Sequence, residues 1–113
     1  MYPSQLEFLR HIEEECIFIL KATEGKSREK IFEDETLKRA IIRSLEIIGE
    51  ATKRIDPDFT SRHPEVEWKK MAATRDIMIH HYFGIDDDIV WSIITEKLPD
   101  LKYHIEHILR ERE

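Results

Sequence analysis

The sequence predicts an all-α protein, an antiparallel bundle of four or five helices that forms a single domain over residues 1–113. Apolar residues recur at intervals of three and four along most of the chain, which is typical of amphipathic helices. No segment alternates apolar and polar residues as a half-buried strand does. Only three glycines and four prolines are present, too few for an all-β protein with many turns.

The first helix is predicted over about residues 4–22. Its apolar stripe consists of Leu6, Leu9, Ile12, Cys16 and Ile19. Gly25 predicts the turn that follows, and Ser27 predicts the N-cap of a short helix through Phe32. We interpret Cys16 as a core residue because it lies on the stripe.

A long second helix is predicted from the N-cap Asp34 to about Asp56. Its stripe consists of Leu37, Ile41, Leu45, Ile48 and Ile55, and Ile42 and Ile47 widen it. A wide apolar face indicates a central helix with several neighbours. Gly49 in the interior of this helix predicts a close contact with another helix, because glycine otherwise costs stability there.

The second half of the chain is predicted to hold a loop and three helices. Turn-forming residues predict a loop over 56–64, followed by a helix that begins between Pro64 and Trp68 and ends near Phe83. The acidic run 86–88 predicts the N-cap of a fourth helix over about 87–97. Pro99 predicts the start of a fifth helix, with Leu101, Ile105 and Ile108 on one stripe.

Composition excludes several classes of protein. The single cysteine excludes an intrachain disulfide framework and a cysteine-based zinc site. The longest apolar run, residues 16–20, is too short to cross a bilayer, and the first residues lack signal-peptide features. We therefore expect a cytoplasmic protein without membrane contact. The net charge of −6 argues against broad electrostatic binding to nucleic acid, but it leaves room for a local basic site.

No metal or cofactor site is expected. His104 and His107 with Glu106 have a spacing that could hold a metal ion, but a solvated helix face explains them better. The acidic run 86–88 lacks the pattern of a calcium loop. Trp68 and Trp91 could stack on bases, although packing in the core or at a dimer interface is the favoured interpretation.

The segment 75–84 gathers the side chains most suited to chemistry: Arg75, Asp76, His80, His81 and Tyr82. On an ideal helix Arg75 and His80 lie about 140° apart, while Asp76 neighbours His80 and Arg75 shares a side with Tyr82. This spacing allows an Arg–His–Tyr cluster. From composition alone, an ordinary helix end with solvated charges is the favoured interpretation.

Arg75, His80 and Tyr82 form an R-x4-H-x-Y motif, and here the chain resembles HEPN-domain proteins. The similarity is greatest to the HEPN toxins of HEPN/minimal nucleotidyltransferase toxin–antitoxin modules. It extends over nearly the whole chain, from about residue 6 to residue 109, and includes the segments 40–51, 68–71, 82–86 and 90–101. Asp76 stands where asparagine is common in that family.

The resemblance implies metal-independent RNA cleavage at a site formed across a homodimer, with Arg75 and His80 as catalytic residues. The chemistry is compatible, because histidine titrates near neutral pH and arginine presents a planar fork to phosphate oxygens. Asp76 would support the site by pairing with Arg75 or orienting His80. Possible RNA contacts are Lys69, Lys70 and His81.

The resemblance also implies a regulatory partner. In such modules the nucleotidyltransferase adds AMP to the motif tyrosine, which corresponds to Tyr82, and thereby silences the ribonuclease. Two other hypotheses remain open. The chain could be a non-catalytic helical module that binds a nucleotidyltransferase and holds its substrate, or a structural interaction protein. The intact Arg75, His80 and Tyr82 favour the enzyme.

Overall fold

The computed structural model describes residues 3–80 and 86–112, and these contain helices and no β-strand. The all-α prediction is therefore confirmed. The helices are α1 (Pro3–Thr23), α2 (Arg28–Glu33), α3 (Glu35–Lys53), α4 (Pro57–Ser61), α5 (Trp68–His80), α6 (Asp87–Ser92) and α7 (Leu98–Arg112), and a π-helical segment (Ile93–Lys97) joins the last two.

The first three helices begin where the sequence predicts, and the caps predicted for α2 and α3 form. The Ser27 hydroxyl accepts a hydrogen bond from the Lys30 amide at 3.2 Å. The Asp34 carboxylate accepts one from the Leu37 amide at 3.0 Å. Both bonds satisfy amides that the first helical turn would otherwise leave unpaired. Helix α3 ends at Lys53, three residues before the predicted end.

The prediction of a loop over 56–64 is wrong for the residues of α4. Asp56 accepts a hydrogen bond from the Asp58 amide at 2.9 Å, and Pro57 occupies the first helical position, where its missing N–H costs nothing. Phe59 is buried, with its ring centroid 6.2 Å from that of Trp68. Burial of Phe59 stabilises a helical turn that is too short to show periodicity in the sequence.

The predicted fourth helix, over about 87–97, corresponds to α6 together with the π-helical segment, and the predicted fifth helix corresponds to α7, but no loop separates them. Asp86 caps α6 as expected, by accepting from the Asp88 amide at 2.8 Å. The backbone then continues without a loop through the π-helical segment, where the Leu98 amide donates to the Ile93 carbonyl five residues earlier. This wide turn directly precedes Pro99, which has no N–H to continue the helical ladder.

Helix α5 begins at Trp68, within the predicted interval, and is described as far as His80. Its predicted end at Phe83 and the predicted stop at Gly84 lie outside the described residues.

Helix α3 is the central helix, as its wide apolar face predicts. It packs against both α1 and α5, and α7 packs against α1. The predicted stripes supply the core: Leu9, Ile12, Cys16, Ile19, Ile41, Leu45, Ile48, Leu101, Ile105 and Ile108 are all buried. Burial raises the pKa of the Cys16 thiol to about 12, because the thiolate would lose its hydration.

In the part of the chain that the structure describes, no helix is both long and apolar enough to cross a membrane.

Candidate active site

Helix α5 approaches α3 closely at Arg75, and Gly49 makes this approach possible. A Cβ atom at position 49 would lie 2.6 Å from the Arg75 Cβ atom and 2.7 Å from the Arg75 backbone nitrogen. Both distances are far below van der Waals contact, so no larger residue fits without separating the helices. The predicted close contact at Gly49 is confirmed, and it occurs at the motif arginine.

The same approach brings Arg75 against a carboxylate of α3. The Arg75 Nε atom lies 2.8 Å from Glu50 Oε2. The other oxygen, Oε1, accepts a hydrogen bond from Arg54 Nε at 3.1 Å. Glu50 thus bridges two arginines, and its contact with Nε leaves the two terminal nitrogens of Arg75 to face other groups. The Arg75 side chain is 38% exposed, so it remains accessible.

Asp76 contacts a different nitrogen of the Arg75 guanidinium from the one that Glu50 contacts. Its Oδ1 atom is 3.7 Å from Arg75 Nη1, and both its oxygens accept hydrogen bonds from Lys53, at 2.9 and 3.1 Å. Charges therefore alternate from Arg54 through Glu50, Arg75 and Asp76 to Lys53, with one more cation than anion. The predicted pairing of Asp76 with Arg75 is present, although its shorter contacts are with Lys53.

A cavity of about 420 Å³ opens beside Arg75 between α1, α3 and α5. We call it the Arg75 groove. Its walls are formed by Phe8, His11, Arg43, Glu46, Ile47, Glu50, Ala51, Arg54, Arg75 and Ile79. Three arginines face two glutamates here, so the groove is locally positive on a chain whose net charge is −6. A site of this charge and size is suited to an anionic ligand with an apolar part.

The histidine and tyrosine of the motif follow at the end of α5. The backbone of His80 belongs to the last described turn, about 7.5 Å along the helix axis from Arg75. The side chain of His80 and the whole of His81 and Tyr82 lie outside the described residues. Their predicted roles stay predictions.

Lys69 and Lys70 occupy the first turn of α5, away from the Arg75 groove. Lys70 Nζ lies 2.8 Å from Glu67 Oε2, and both lysines border a different hollow, together with Thr60 and Ser61. The structure does not bring these two predicted RNA contacts to Arg75 within this protomer.

The remaining candidates have structural contacts. Trp68 is buried, and its indole N–H donates to the His63 carbonyl at 2.8 Å, which confirms the core interpretation. His104 Nε2 lies 3.4 Å from Asp100. Among residues 3–80 and 86–112, no three histidine, cysteine, aspartate or glutamate side chains converge as a metal site would require.

Sequence reasoning missed the contribution of α3 to the site. Four side chains follow one another at spacings of four, three and four residues, which places them in one line along a helix. They are Arg43, Ile47, Glu50 and Arg54. This line forms one wall of the Arg75 groove. The pattern was available in the sequence, but only the contact at Gly49 shows which helix it faces.

Comparisons with known proteins give one consistent result. Residues 12–108 match the family model described as "Ribonuclease HepT-like". The chain is 41% identical to a protein named "Putative RNase" of Caldanaerobacter subterraneus subsp. tengcongensis, over 92% of this chain and 93% of that protein. It is 40% identical to the "Probable ribonuclease HepT" of Thermococcus cleftensis, over 96% of this chain and 98% of that protein. No solved structure matches the chain.

Proposed function

Because the chain belongs to the HepT-like ribonuclease family and is a ribonuclease, we propose that it is the toxin of a toxin–antitoxin module. In this proposal residues 1–113 form one HEPN-like domain that cleaves RNA internally, without a metal ion, in the cytoplasm. Arg75 and His80 are its catalytic residues. The observation that supports this most directly is the position of Arg75, held by Glu50 at the edge of a locally positive groove.

The proposed reaction uses the ribose 2′-hydroxyl of the substrate. Its proton passes to a base, its oxygen bonds to phosphorus, and the bond from phosphorus to the 5′-oxygen breaks as that oxygen receives a proton. The products are a 2′,3′-cyclic phosphate and a 5′-hydroxyl. Arg75 stabilises the charge on the phosphate oxygens, since a guanidinium matches two of them at once. His80 transfers protons, because imidazole titrates close to neutral pH.

The reaction needs both a proton acceptor and a proton donor, whereas one chain supplies a single motif histidine. A twofold axis beside α5 would bring two copies of Arg75 and His80 into one site. We therefore propose a homodimer with a composite site. Light scattering of the purified chain at micromolar concentration should give the mass of a dimer. A strict monomer that cleaves RNA at the full rate would contradict the composite site.

Regulation is proposed to act through Tyr82. It follows His80 by two residues in the motif, and a cognate minimal nucleotidyltransferase would transfer AMP to its phenol oxygen, with loss of pyrophosphate from ATP. Each adduct adds about one negative charge on a short tether, where it competes with RNA for Arg75 at a high effective concentration.

The reaction class is tested with two oligonucleotides of one sequence, one of RNA and one of DNA, in the presence of a chelator. We expect cleavage of the RNA, products with cyclic phosphate and 5′-hydroxyl ends, and an intact DNA strand. Cleavage of the DNA, or loss of RNA cleavage in chelator that returns on addition of magnesium, would refute the 2′-hydroxyl mechanism.

A further inference from the structure

The Arg75 groove extends well beyond the arginine that the proposed reaction uses. Arg43 lies on α3 and Arg54 caps its C-terminus eleven residues later, which separates their backbones by about 16 Å along the helix axis. That length covers several nucleotides of a strand, at about 3.4 Å or more for each. Arg75 joins this wall between the two, through its contact with Glu50.

The walls of the groove combine two kinds of surface. Phe8 and Ile47 are half-buried and apolar, and Ile79 is an exposed aliphatic side chain, with 43% of its surface accessible. Aromatic and aliphatic side chains of this kind cover the face of an unstacked base, whereas a base inside a duplex has no free face to offer. The cavity of about 420 Å³ is in the range of pockets that enclose a small organic group.

The arginines at the ends of the groove are loosely held. Arg43 donates to Glu46 at 3.2 Å, and its side chain is 71% exposed, while that of Arg54 is 62% exposed. Surface pairs of this type contribute little to stability, so a phosphate can replace the carboxylate at small cost. Glu46 and Glu50 are less exposed than their partners Arg43 and Arg54, so the two cations lie nearer the outer surface of the groove.

We propose that the Arg75 groove binds a single strand of RNA on one side of the cleaved phosphate. An unstacked base lies on Phe8, Ile47 and Ile79, and Arg43 contacts a neighbouring phosphate. The proposal rests on the proposed function for the cleaved phosphate at Arg75, but it makes a separate claim about affinity. It predicts a preference for single-stranded RNA over duplex RNA.

Arg43 is the residue to test, because its partner is Glu46 and it does not touch the Arg75–Glu50 pair. Arg39 supplies a matched control. It lies on the same helix, pairs with Glu35 at 3.5 Å and is 78% exposed, but it does not line the groove. Binding is measured by fluorescence anisotropy with a labelled 2′-O-methyl RNA strand. That probe has no 2′-hydroxyl to react, so the measurement does not depend on cleavage.

We expect Arg43→Gln to weaken binding of the single strand by about 3- to 10-fold, and to reduce the slope of log K against log salt by about 0.7, the value for one lost phosphate contact on a single strand. Phe8→Leu should weaken binding by about 5-fold or more, since a stacking face is removed. Arg39→Gln should change neither quantity. In cleavage assays Arg43→Gln should raise KM and leave kcat unchanged.

Equal affinities of Arg43→Gln and Arg39→Gln would overturn the inference, as would equal binding of single-stranded and duplex probes by the wild type. If Arg43→Gln is a monomer where the wild type is a dimer, and each protomer binds the RNA strand with unchanged affinity, the groove is a protein interface instead. A wild type that binds the strand as expected but cleaves no RNA would refute the proposed reaction and leave this inference standing.

Discussion

Replacement of Gly49 by alanine perturbs the site through a single methyl group. The new Cβ atom would lie 2.6 Å from the Arg75 Cβ atom. Carbon atoms in contact normally lie 3.5–4.0 Å apart, so α3 and α5 must separate by about 1 Å at this point. The pair between Arg75 and Glu50 would lengthen from 2.8 Å to about 3.8 Å, close to the limit of an ion pair.

The expected effects on stability and on activity differ in size. Overpacking costs about 1–3 kcal/mol, and replacing a helical glycine recovers about 1 kcal/mol, so Gly49→Ala should lower the free energy of unfolding by about 0–2 kcal/mol. A displacement of about 1 Å in a catalytic group costs on the order of 100-fold in rate. RNA cleavage should therefore fall by about that factor while the protein stays folded.

Gly25→Ala is the matched control for Gly49→Ala. Gly25 has a φ of +71°, so alanine there is strained by about 1–2 kcal/mol, but open space surrounds it and it is not part of the groove. The two variants should have similar stability in chemical denaturation and differ widely in cleavage rate. If Gly49→Ala cleaves RNA as fast as Gly25→Ala does, the close contact does not position Arg75 and the reasoning fails.

Glu50→Ala should lower kcat for RNA cleavage by about 10-fold, because Arg75 loses a charged partner that fixes its orientation. The control Glu35→Ala should leave kcat unchanged, since Glu35 pairs with Arg39. Equal rates of the two variants would contradict a positioning role for Glu50. Tyr82→Phe should keep most of the cleavage activity yet gain no AMP from the cognate nucleotidyltransferase and ATP, as measured by intact-mass spectrometry; equal labelling of both proteins would place the adduct elsewhere. Cys16 has a pKa raised by burial from 9.0 to about 12, so its contribution to stability is complete below pH 9 and is lost as the pH rises toward 12. Over that range the free energy of unfolding of the wild type should fall more steeply than that of Cys16→Ala, by up to about 1.4 kcal/mol per pH unit. If the two proteins lose stability in parallel as the pH rises, burial of Cys16 does not have this effect.

The sequence predicts the long amphipathic helices well, because the same apolar repeat indicates both the helix and the face that it buries. Leu9, Ile12 and Cys16 on α1 are buried as their spacing indicates. Helix α4 was missed because one buried side chain, Phe59, and a cap at Asp56 stabilise it without any repeat. A single turn leaves too few positions for a period to appear.

The candidate active site, like the fold, is predictable from the sequence only where the pattern lies within one helix. The motif arginine is recognisable in the sequence because the R-x4-H-x-Y spacing lies within one helix. Glu50 pairs with Arg75 directly, and Lys53 is linked to it through Asp76. Both partners lie on another helix, so tertiary packing alone brings them to Arg75. Gly49 marked a close contact in advance, but nothing in the linear pattern indicates that the neighbour is residue 75.

The most direct test of the proposed active site compares RNA cleavage by the purified wild type with cleavage by Arg75→Ala and His80→Ala. Chelator is present throughout, and circular dichroism verifies that each variant is folded. We predict a fall in rate of about 100-fold or more for each variant, as expected for the loss of a charge-stabilising or proton-transferring group. Wild-type rates in two correctly folded variants would contradict the assignment of the active site to Arg75 and His80.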